Sequence, residues 1–437
     1  MEESPLSSFL ALLTVLAMVL GGSYLYRTQH LSRSRNRPQQ LQQEQTAKHQ
    51  ESSATVFKES EFPDNWWTGK EVFELEKRAI FSKTWIYICH RSRFSKPGDY
   101  HSFELAGFPI FLILGKDNVV RAFHNVCRHR AYTITRKESG SSTVLGCRYH
   151  GWSYNTRGTL IKAPHFENVP GFDKSQNGLF EIHTAMSKDG LIFVNLDANP
   201  TVSEPDFKSA DAFTAQQRLG MKSTWISGST FEGKFNWKAA VESRLFDVRI
   251  PEDQIPRSAI ASIFRSIRIG WSETQQPELK LFPNSTLYRI PDTGLWYSIC
   301  LLPSSEAHTR VRCDLYSILP KVDSAAGIVS DRLDEIIRDR IKDVEKEFVS
   351  SAGARPSFTN YKHLNEDNRD TQYEILLHLK THLKLEKTLG SQVSPASRRP
   401  QTSQRYLQAE MLCKELDCLS KKTGADSTLR TKEVLAW

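Results

Sequence analysis

Apolar and polar residues fall into separate blocks along the N-terminal part of the chain. An uncharged apolar run extends from Ser7 to Tyr26 and is long enough to span the ~30 Å core of a bilayer as a helix. Glu2 and Glu3 precede this run, whereas a cleaved signal peptide begins with basic residues. Arg27 and the arginines that follow it favour a cytosolic main body. The pattern therefore predicts a single-pass membrane protein whose main domains are cytosolic.

The next blocks change from polar to helical and then to β-type patterns. Residues 27–60 are rich in Gln, Ser, Arg and Glu, which is typical of a disordered linker. The stretch from Lys70 to Trp85 has apolar residues at helical spacing. From Asp99 to Leu196, short β-type runs such as PIFLILG and GLIFVNLD alternate with turns. These patterns predict one helix followed by an all-β module.

The C-terminal part mixes both patterns. Strands are predicted at Leu295–Leu302 and Arg310–Leu319, helices at Ile328–Phe348 and Asp367–Leu383, and one short helix at Gln404–Leu416. We therefore predict an α+β fold. Its predicted segments are a membrane anchor at 1–26, a disordered linker at 27–60, an all-β domain with its preceding helix at 61–200, a second domain at 201–390 and a polar tail at 391–437.

Composition narrows the class of protein. The chain is 39% hydrophobic and 25% charged, as globular proteins are, and its formal net charge is +8. It has neither a zinc-finger pattern nor an RNA-recognition signature, so nucleic-acid binding is not expected. Seven cysteines are too few for a disulfide scaffold in a chain of this length. Five of them show no metal-site spacing and are expected to be reduced thiols: Cys89, Cys300, Cys313, Cys413 and Cys418.

The other two cysteines belong to paired Cys/His motifs. The first reads Cys127-Arg-His129, and the second reads Cys147-Arg-Tyr-His150-Gly-Trp. Two thiolates on one iron and two imidazoles on the other are the ligands of a Rieske-type [2Fe–2S] cluster. A structural zinc site is the main alternative, but zinc sites usually pair C-x₂₋₄-C with H-x₃₋₅-H. The motifs therefore predict a [2Fe–2S] cluster on Cys127, His129, Cys147 and His150.

With these motifs, the chain resembles the Rieske non-haem iron oxygenases, and choline monooxygenase-like members in particular. The resemblance runs from about Trp66 to Leu319 and includes FHNVCRHRAY, CRYHGWSYNTRGTL, the FNWK at Phe235–Lys238 and LFPNSTLY. It implies an all-β Rieske domain followed by a helix-grip catalytic domain with an antiparallel sheet. It also implies O₂-dependent oxygenation of a small organic substrate, choline-like or a lipophilic metabolite, at a mononuclear Fe(II).

The resemblance further implies partners. The sequence has no glycine fingerprint for a nicotinamide or flavin cofactor, so electrons are expected from a separate NAD(P)H-dependent reductase or a ferredoxin. Family members are usually homotrimers, in which the cluster of one subunit serves the iron of its neighbour. A quaternary ammonium substrate would require an aromatic cage. The candidate aromatic residues are Trp225, Trp271, Tyr288 and Trp296.

The mononuclear iron site departs from the family pattern. The family's two histidines follow the NWK segment, where Glu242 still fits, but here the aligned positions are Arg249 and Gln254. Arginine has no free lone pair and cannot coordinate iron. No histidine occurs between His183 and His308, so no shift of the alignment restores the pattern. The acidic residue that links the two metal centres in the family is displaced as well, because Phe246 takes its place and Asp247 lies one position away.

The family's carboxylate ligand has a better match. Glu366–Asp367 begins a predicted helix, which makes Asp367 the candidate ligand for the mononuclear iron, with helix N-terminal capping as the alternative. His378 and His382 share one helix face, but helical rise places them roughly 16 Å from Asp367, too far for a common site.

Three explanations stay open at this stage. The chain is a degenerate oxygenase that keeps only electron transfer, or it binds iron through other ligands, or Ser243–Ile269 is an error of the gene model. The sequence therefore predicts a Rieske-type monooxygenase-like oxidoreductase. The alternative is an electron-transfer or scaffold protein that lacks the mononuclear iron.

Overall fold

The computed structural model of this chain divides into two compact units, Met1–Glu59 and Ser60–Trp437. The structure describes residues 62–166, 169–242, 245, 248–251, 278–291, 293–318, 325–351, 366–395 and 411, all of which belong to the second unit. The predicted anchor at Ser7–Tyr26, the linker and the helix at Gln404–Leu416 lie outside these residues, Met411 excepted.

The predicted helix after Trp67 begins the described fold. It forms α1 at Lys70–Glu76 and continues as a π-helical turn at Lys77–Phe81. Its apolar residues point inward, since Val72, Phe73, Ile80 and Phe81 are all buried. The i, i+3 and i+4 spacing of a helical face explains why these positions meet the core.

The following residues form the N-terminal β region, which we define as residues 86–195. Its ten strands are β1 (Ile86–His90), β2 (Asp99–Leu105), β3 (Phe108–Leu114), β4 (Val120–His124), β5 (Ser139–Ser141), β6 (Val144–Gly146), β7 (Ser153–Asn155), β8 (Leu160–Lys162), β9 (Glu181–Met186) and β10 (Leu191–Asn195). They build an antiparallel seven-stranded sheet in the order β1-β10-β9-β4-β3-β2-β5 and a small sheet in the order β6-β7-β8. Short 3₁₀ turns lie at Arg91–Arg93 and Lys174–Asn177.

The small sheet positions the cysteine and histidine motifs. It packs over the seven-stranded sheet through an apolar cluster that includes Phe111, Phe123, Trp152 and Leu160. The turn between β6 and β7 carries the second Cys/His motif, and the segment after β4 carries the first. Both motifs therefore lie at one end of the same packed cluster.

The C-terminal region, which we define as residues 208–389, combines a sheet with helices. Its elements are α2 (Lys208–Gln217), β11 (Thr224–Gly233), α3 (Trp237–Glu242), β12 (Glu278–Leu281), β13 (Ser285–Arg289), β14 (Leu295–Ser305), β15 (His308–Ser317), α4 (Ala325–Ser351) and α5 (Glu366–Leu389). The five strands form an antiparallel sheet in the order β11-β15-β14-β13-β12. The predicted strands and helices of this region are found within these elements, except that β15 ends at Ser317, so Ile318 lies beyond the strand and Leu319 is not described.

One apolar core joins the two regions. Buried residues of the seven-stranded sheet, such as Ile86 and Leu112, belong to the same cluster as Ile299 of β14 and Ile337 of α4. A buried charge also connects them, because Asp314 of β15 pairs with Arg93 and, at 3.2 Å, with Arg312. The α+β fold with antiparallel sheets is therefore confirmed.

The predicted localisation as a single-pass membrane protein with cytosolic domains is wrong. Among the described residues there is no helix with the length and apolar character needed to cross a bilayer. The two longest helices, α4 and α5, carry charged residues in nearly every turn, so each is apolar on one face only.

Candidate iron–sulfur site

The two Cys/His motifs lie on two loops that have the same backbone turn. In the first loop, the Cys127 N–H donates to the Tyr132 carbonyl (2.8 Å) and the Ala131 N–H donates to the Cys127 carbonyl (2.9 Å). In the second, the Cys147 N–H donates to the Trp152 carbonyl (2.7 Å) and the Gly151 N–H to the Cys147 carbonyl (2.9 Å). Each loop is therefore closed by hydrogen bonds to the residues four and five positions after its cysteine.

The turn requires a left-handed backbone at the fourth residue after each cysteine. Gly151 takes this conformation with a φ of 71°, as glycine does without cost, but Ala131 takes it with a φ of 54°. A Cβ on Gly151 would lie 3.3 Å from Cγ of Pro164. The first loop thus has an alanine in the left-handed conformation. In the second loop, both this conformation and the nearby Pro164 favour glycine.

Asn125 fixes the first loop to the sheet. Its side-chain oxygen accepts hydrogen bonds from the N–H groups of Ile134 (3.2 Å) and Thr135 (2.9 Å), and its amide donates to the Thr135 carbonyl (2.9 Å). The Asn125 N–H donates to the Pro109 carbonyl (2.8 Å). The side chain of Asn125 therefore holds the far end of the loop, and its backbone N–H bonds to β3.

The structure brings the four predicted ligands together. The thiols of Cys127 and Cys147 are 3% and 1% exposed and share a hydrogen bond. The rings of His129 and His150 lie beside them, half-buried, with centroids 4.6 Å apart. The thiol side of the site is therefore buried, and the imidazole side lies next to the solvent.

The electrostatics of the thiol pair favour a thiolate. The hydrogen bond from Cys147, together with hydrogen bonds from Tyr154 and backbone N–H groups, lowers the pKa of Cys127 to about 6. The same hydrogen bond, together with burial, raises the pKa of Cys147. A thiolate is the form of cysteine that binds metals, so the lowered pKa of Cys127 favours metal binding.

Tyr154 is a site residue that the motif reasoning missed. Its hydroxyl lies 3.2 Å from the Cys127 sulfur and accepts a hydrogen bond from the Arg128 N–H (3.1 Å). Tyr154 is fully buried, on the strand that follows the other loop, and burial raises the pKa of its hydroxyl. The only signal in the sequence is a tyrosine two residues after the HGW segment, which does not by itself indicate contact with the other motif.

Aromatic rings enclose the imidazoles. Trp152 stacks on His129 with centroids 5.0 Å apart and an interplanar angle of 10°, and Phe166 meets His129 edge-on at 5.2 Å. Trp152 is 2% exposed, and its indole N–H has no hydrogen-bond acceptor among the described residues. The buried Trp152 ring therefore shields this side of the site from water.

These features fit a [2Fe–2S] cluster. The donor set has two sulfurs on one side and two imidazole nitrogens on the other, which is the Rieske ligand set. The buried indole N–H of Trp152 is a donor in need of an acceptor, and cluster sulfurs accept hydrogen bonds. Within the described residues, no three His, Cys, Asp or Glu side chains are arranged to hold a single metal ion. A cluster with two protein ligands on each iron does not require such a group.

Of the residues predicted for the mononuclear site, Arg249 is the one whose side chain is described, and a guanidinium does not fit an iron. Arg249 stands at an aligned histidine position, where its side chain is 63% exposed and lies 3.6 Å from Glu278. Asp367 lies in the first turn of α5, but its side chain is not described, and Gln254, Phe246 and Asp247 lie outside the described residues. The two histidines considered as substitute iron ligands have other partners. His378 stacks on Phe282 (5.2 Å), and His382 pairs with Glu386 (3.1 Å).

The aromatic residues considered for a cation cage do not converge. Trp225 donates to Asp314 (3.2 Å), and Trp296 stacks on Tyr316 (4.1 Å). Tyr288 stacks on Tyr297 (4.8 Å) and belongs to a different apolar cluster. Trp271 lies outside the described residues.

Comparison with known proteins agrees with the site. Residues 84–173 match the Rieske [2Fe-2S] domain family. The carnitine monooxygenase oxygenase subunit of Acinetobacter pittii is 33% identical over 193 residues, which cover 42% of this chain and 50% of that protein. The alpha subunit of 2-aminobenzenesulfonate 2,3-dioxygenase from Alcaligenes sp. is 42% identical over 130 residues, which cover 29% and 33%. The chain thus spans about half the length, or less, of these curated relatives.

The fold has a match among solved structures as well. The apo form of a quaternary ammonium Rieske monooxygenase superposes with a TM-score of 0.58 at 24% identity, over 74% of this chain and 95% of that one. At this identity the likeness concerns the fold alone.

Proposed function

We propose that this chain, a relative of the Rieske oxygenases that carries their [2Fe–2S] domain, is an oxidoreductase that transfers electrons through a cluster on Cys127, His129, Cys147 and His150. The observation that carries the proposal is the convergence of these four side chains from two loops with the same turn. A bound Rieske cluster supplies a one-electron carrier at a higher potential than an all-cysteine cluster.

The surrounding residues support electron transfer in three ways. The two thiols are buried, which excludes water from the sulfur side. Tyr154 holds a hydroxyl against the Cys127 sulfur, and hydrogen bonds to cluster sulfurs are among the factors that set the potential. The half-buried imidazoles of His129 and His150 leave a short path to the protein surface.

The reaction that uses these electrons is proposed as an O₂-dependent oxygenation of a small organic substrate. The names of the relatives support this class, since they include a monooxygenase for carnitine and a dioxygenase for an aromatic sulfonate. Because these two substrates differ in charge and shape, the relatives do not select one of them for this chain. By analogy with the family, we propose a separate reductase or ferredoxin as the electron source and a homotrimer as the assembly.

A second candidate function is electron transfer or scaffolding without the mononuclear iron. It is favoured by Arg249, whose guanidinium cannot bind iron and which lies at the surface beside Glu278. Under this candidate the C-terminal region keeps the fold of an oxygenase without its second metal centre.

The test is the iron content of the full chain, purified without oxygen, together with the EPR spectrum after reduction with dithionite. Two irons per chain with a Rieske signal support the electron carrier. A third iron that is lost in Asp367→Ala, but kept in the control Asp339→Ala on the exposed face of α4, supports the oxygenase. A protein without any Rieske signal contradicts both candidates.

A further inference from the structure

A cleft opens where residues of the N-terminal β region meet β15 of the C-terminal region. Its volume is about 480 Å³, which is within the range of small-molecule sites. It is lined mainly by β2, by the segment 132–138 after the first Cys/His motif and by Arg310 of β15. None of the four predicted cluster ligands lines this cleft, so it is a second candidate site.

The cleft has a buried hydroxyl without a partner. Thr135 lines the cleft and is 6% exposed, and its Oγ1 has no hydrogen-bond partner among the described residues. Its backbone is satisfied, because the Asn125 side chain accepts from its N–H (2.9 Å) and donates to its carbonyl (2.9 Å). Asn125 also donates to Oγ of Ser102 (3.0 Å), so the Ser102 hydroxyl keeps its own proton to donate. Two hydroxyl donors therefore line the cleft, and a buried one without a partner is costly unless something bonds to it.

Three cationic side chains line the same cleft. Arg136, Lys137 and Arg310 all lie beyond ion-pair distance of any carboxylate in the described part of the chain. Arg310 is half-buried, so its charge is only partly solvated. Glu104 and Glu138 line the cleft as well, so three positive and two negative side chains leave a net charge of +1. The cleft therefore offers hydrogen-bond donors and a small excess of positive charge.

We propose that this cleft binds a small oxyanion, which is a carboxylate or a phosphate group carried by a small molecule. Guanidinium, ammonium and hydroxyl groups all donate hydrogen bonds, and bonds between charged groups are the stronger ones. The planar fork of an arginine such as Arg310 matches both carboxylate and phosphate oxygens. A net charge of only +1 favours a small anion over a polyanion, which requires several cations for binding. The inference does not rest on the proposed function, because no cluster ligand takes part.

The experiment is isothermal titration calorimetry of the full chain, in a buffer free of phosphate and carboxylates. The probes are inorganic phosphate and succinate, which separate the two sources of an oxyanion. Arg310→Gln removes a cation, Thr135→Val removes the buried hydroxyl, and Glu104→Gln removes a negative charge from the same cleft. Thr286→Val is the matched hydroxyl control, because Thr286 of β13 also has a buried Oγ1 without a partner among the described residues but lies away from the cleft. Lys342→Gln, on the exposed face of α4, is the control for charge.

Each variant is first compared with the parent by thermal unfolding. Thr135→Val nearly conserves the volume and shape of the side chain, so it tests the site even if Arg310→Gln is unstable.

We expect at least one probe to bind the parent protein at one site per chain. Its affinity should fall about tenfold in Arg310→Gln and in Thr135→Val, because each variant loses a bond to a charged ligand. Glu104→Gln should instead increase the affinity about threefold, since it removes a repulsive charge. Both controls should bind within about twofold of the parent, because their changes lie far from the ligand.

The two probes and the variants lead to distinct outcomes. Binding of phosphate alone supports a phosphorylated ligand, and binding of succinate alone supports a carboxylate ligand. A parent protein that binds neither probe overturns the site, whatever its iron content. Binding that is unchanged in both Arg310→Gln and Thr135→Val places the anion elsewhere on the chain and overturns the site as well. Weaker binding in Glu104→Gln contradicts the sign of the proposed ligand.

Discussion

The iron–sulfur site and the position of the expected second iron differ in which residues of the family pattern they retain. At the first, four metal-binding side chains converge, and the loops that carry them are closed by their own hydrogen bonds. At the second, the NWK segment is buried and strongly connected. Lys238 pairs with Glu76, Trp237 donates to Glu76 (2.7 Å) and Gln372 donates to the Lys238 carbonyl (3.1 Å).

This difference shows that the chain keeps the supporting residues of the NWK segment without the histidines expected at Arg249 and Gln254. The Lys238–Glu76 pair is fully buried and joins α1 to α3, while Gln372 and Trp66 (3.1 Å) connect it to α5. These contacts stabilise the packing whatever the neighbouring residues bind. Arg249, eleven positions after Lys238, has an exposed side chain beside Glu278. Resemblance in the NWK segment therefore indicates packing, whereas only the ligands themselves indicate iron.

The largest expected effect is the loss of a proposed cluster ligand. Cys147→Ser removes a buried thiolate donor, so we expect loss of both irons and of the visible absorbance of the purified chain. Cys313→Ala, at a buried thiol of β15, is the matched control and should keep its irons. Iron analysis with visible spectroscopy measures the effect. A coloured Cys147→Ser protein with two irons would contradict the ligand assignment.

The second prediction concerns the supporting network of the C-terminal region. Lys238→Met leaves Glu76 buried without its cation, and breaking such a pair costs about 3–5 kcal/mol. Adding Glu76→Gln removes the remaining charge but keeps an acceptor for Trp237, so most of the loss should be recovered. Urea unfolding of the single and double variants measures the effect. Equal stability of Lys238→Met and the parent would show that the pair does not stabilise the fold.

The third prediction concerns the stability of the fold at acid pH. His90 lies between Trp296 (5.5 Å) and Tyr316 (5.7 Å) at the junction of the two regions, and burial lowers its pKa to about 4. The unfolded chain, with an ordinary histidine pKa, binds this proton first, so stability should fall as the pH drops from about 6.5 to 4, by roughly 3 kcal/mol. His90→Gln should flatten this part of the unfolding profile. The parent and His308→Gln, at an exposed histidine, should retain the slope.

The fourth prediction concerns the hydroxyl at Cys127. Tyr154→Phe removes a donor to the sulfur, and loss of a donor destabilises the more negative, reduced state. A hydrogen bond of about 1 kcal/mol corresponds to a fall of roughly 40 mV in the one-electron potential. Redox titration followed by EPR measures this shift. Tyr100→Phe, at a tyrosine of β2, is the control, and an unchanged potential in Tyr154→Phe would exclude a role for the hydroxyl.

The smallest expected effect compares the two loops directly. Ala131→Gly relieves a left-handed alanine and should stabilise the fold by up to about 1 kcal/mol. Gly151→Ala introduces the same strain and a Cβ 3.3 Å from Pro164, so it should destabilise by about 1 kcal/mol or more. Thermal unfolding of the two variants tests the equivalence of the turns, and shifts of the same sign would contradict it.

The sequence predicted the local features of this molecule better than the contacts between them. Helical segments in Lys70–Trp85 and at Ile328–Phe348 follow from apolar spacing, and the structure has helical turns at Lys70–Phe81 and a helix at Ala325–Ser351. The assembly of Cys127 with Cys147 was predicted because their spacing matches known chemistry. Tyr154 was not predicted, since its contact with Cys127 joins residues from different loops.

Other features that the sequence did not predict also depend on contacts between distant residues. The strand at Thr224–Gly233 was not identified, because its burial alternates weakly along polar residues such as Ser227 and Ser229. Strand pairing determines the structure of this segment, since β11 pairs along its length with β15. The aromatic residues proposed for a cage are used in packing instead, and amino-acid type alone does not distinguish these roles.

The shared turn of the two loops has a consequence for how the cluster is loaded. Each cysteine is held by hydrogen bonds within its own loop, so the positions of the donors do not depend on the metal to define them. Ligand exchange from a cluster-carrying protein could then proceed at a surface already shaped for it, without a folding step. We accordingly expect the folded protein to accept a cluster after synthesis.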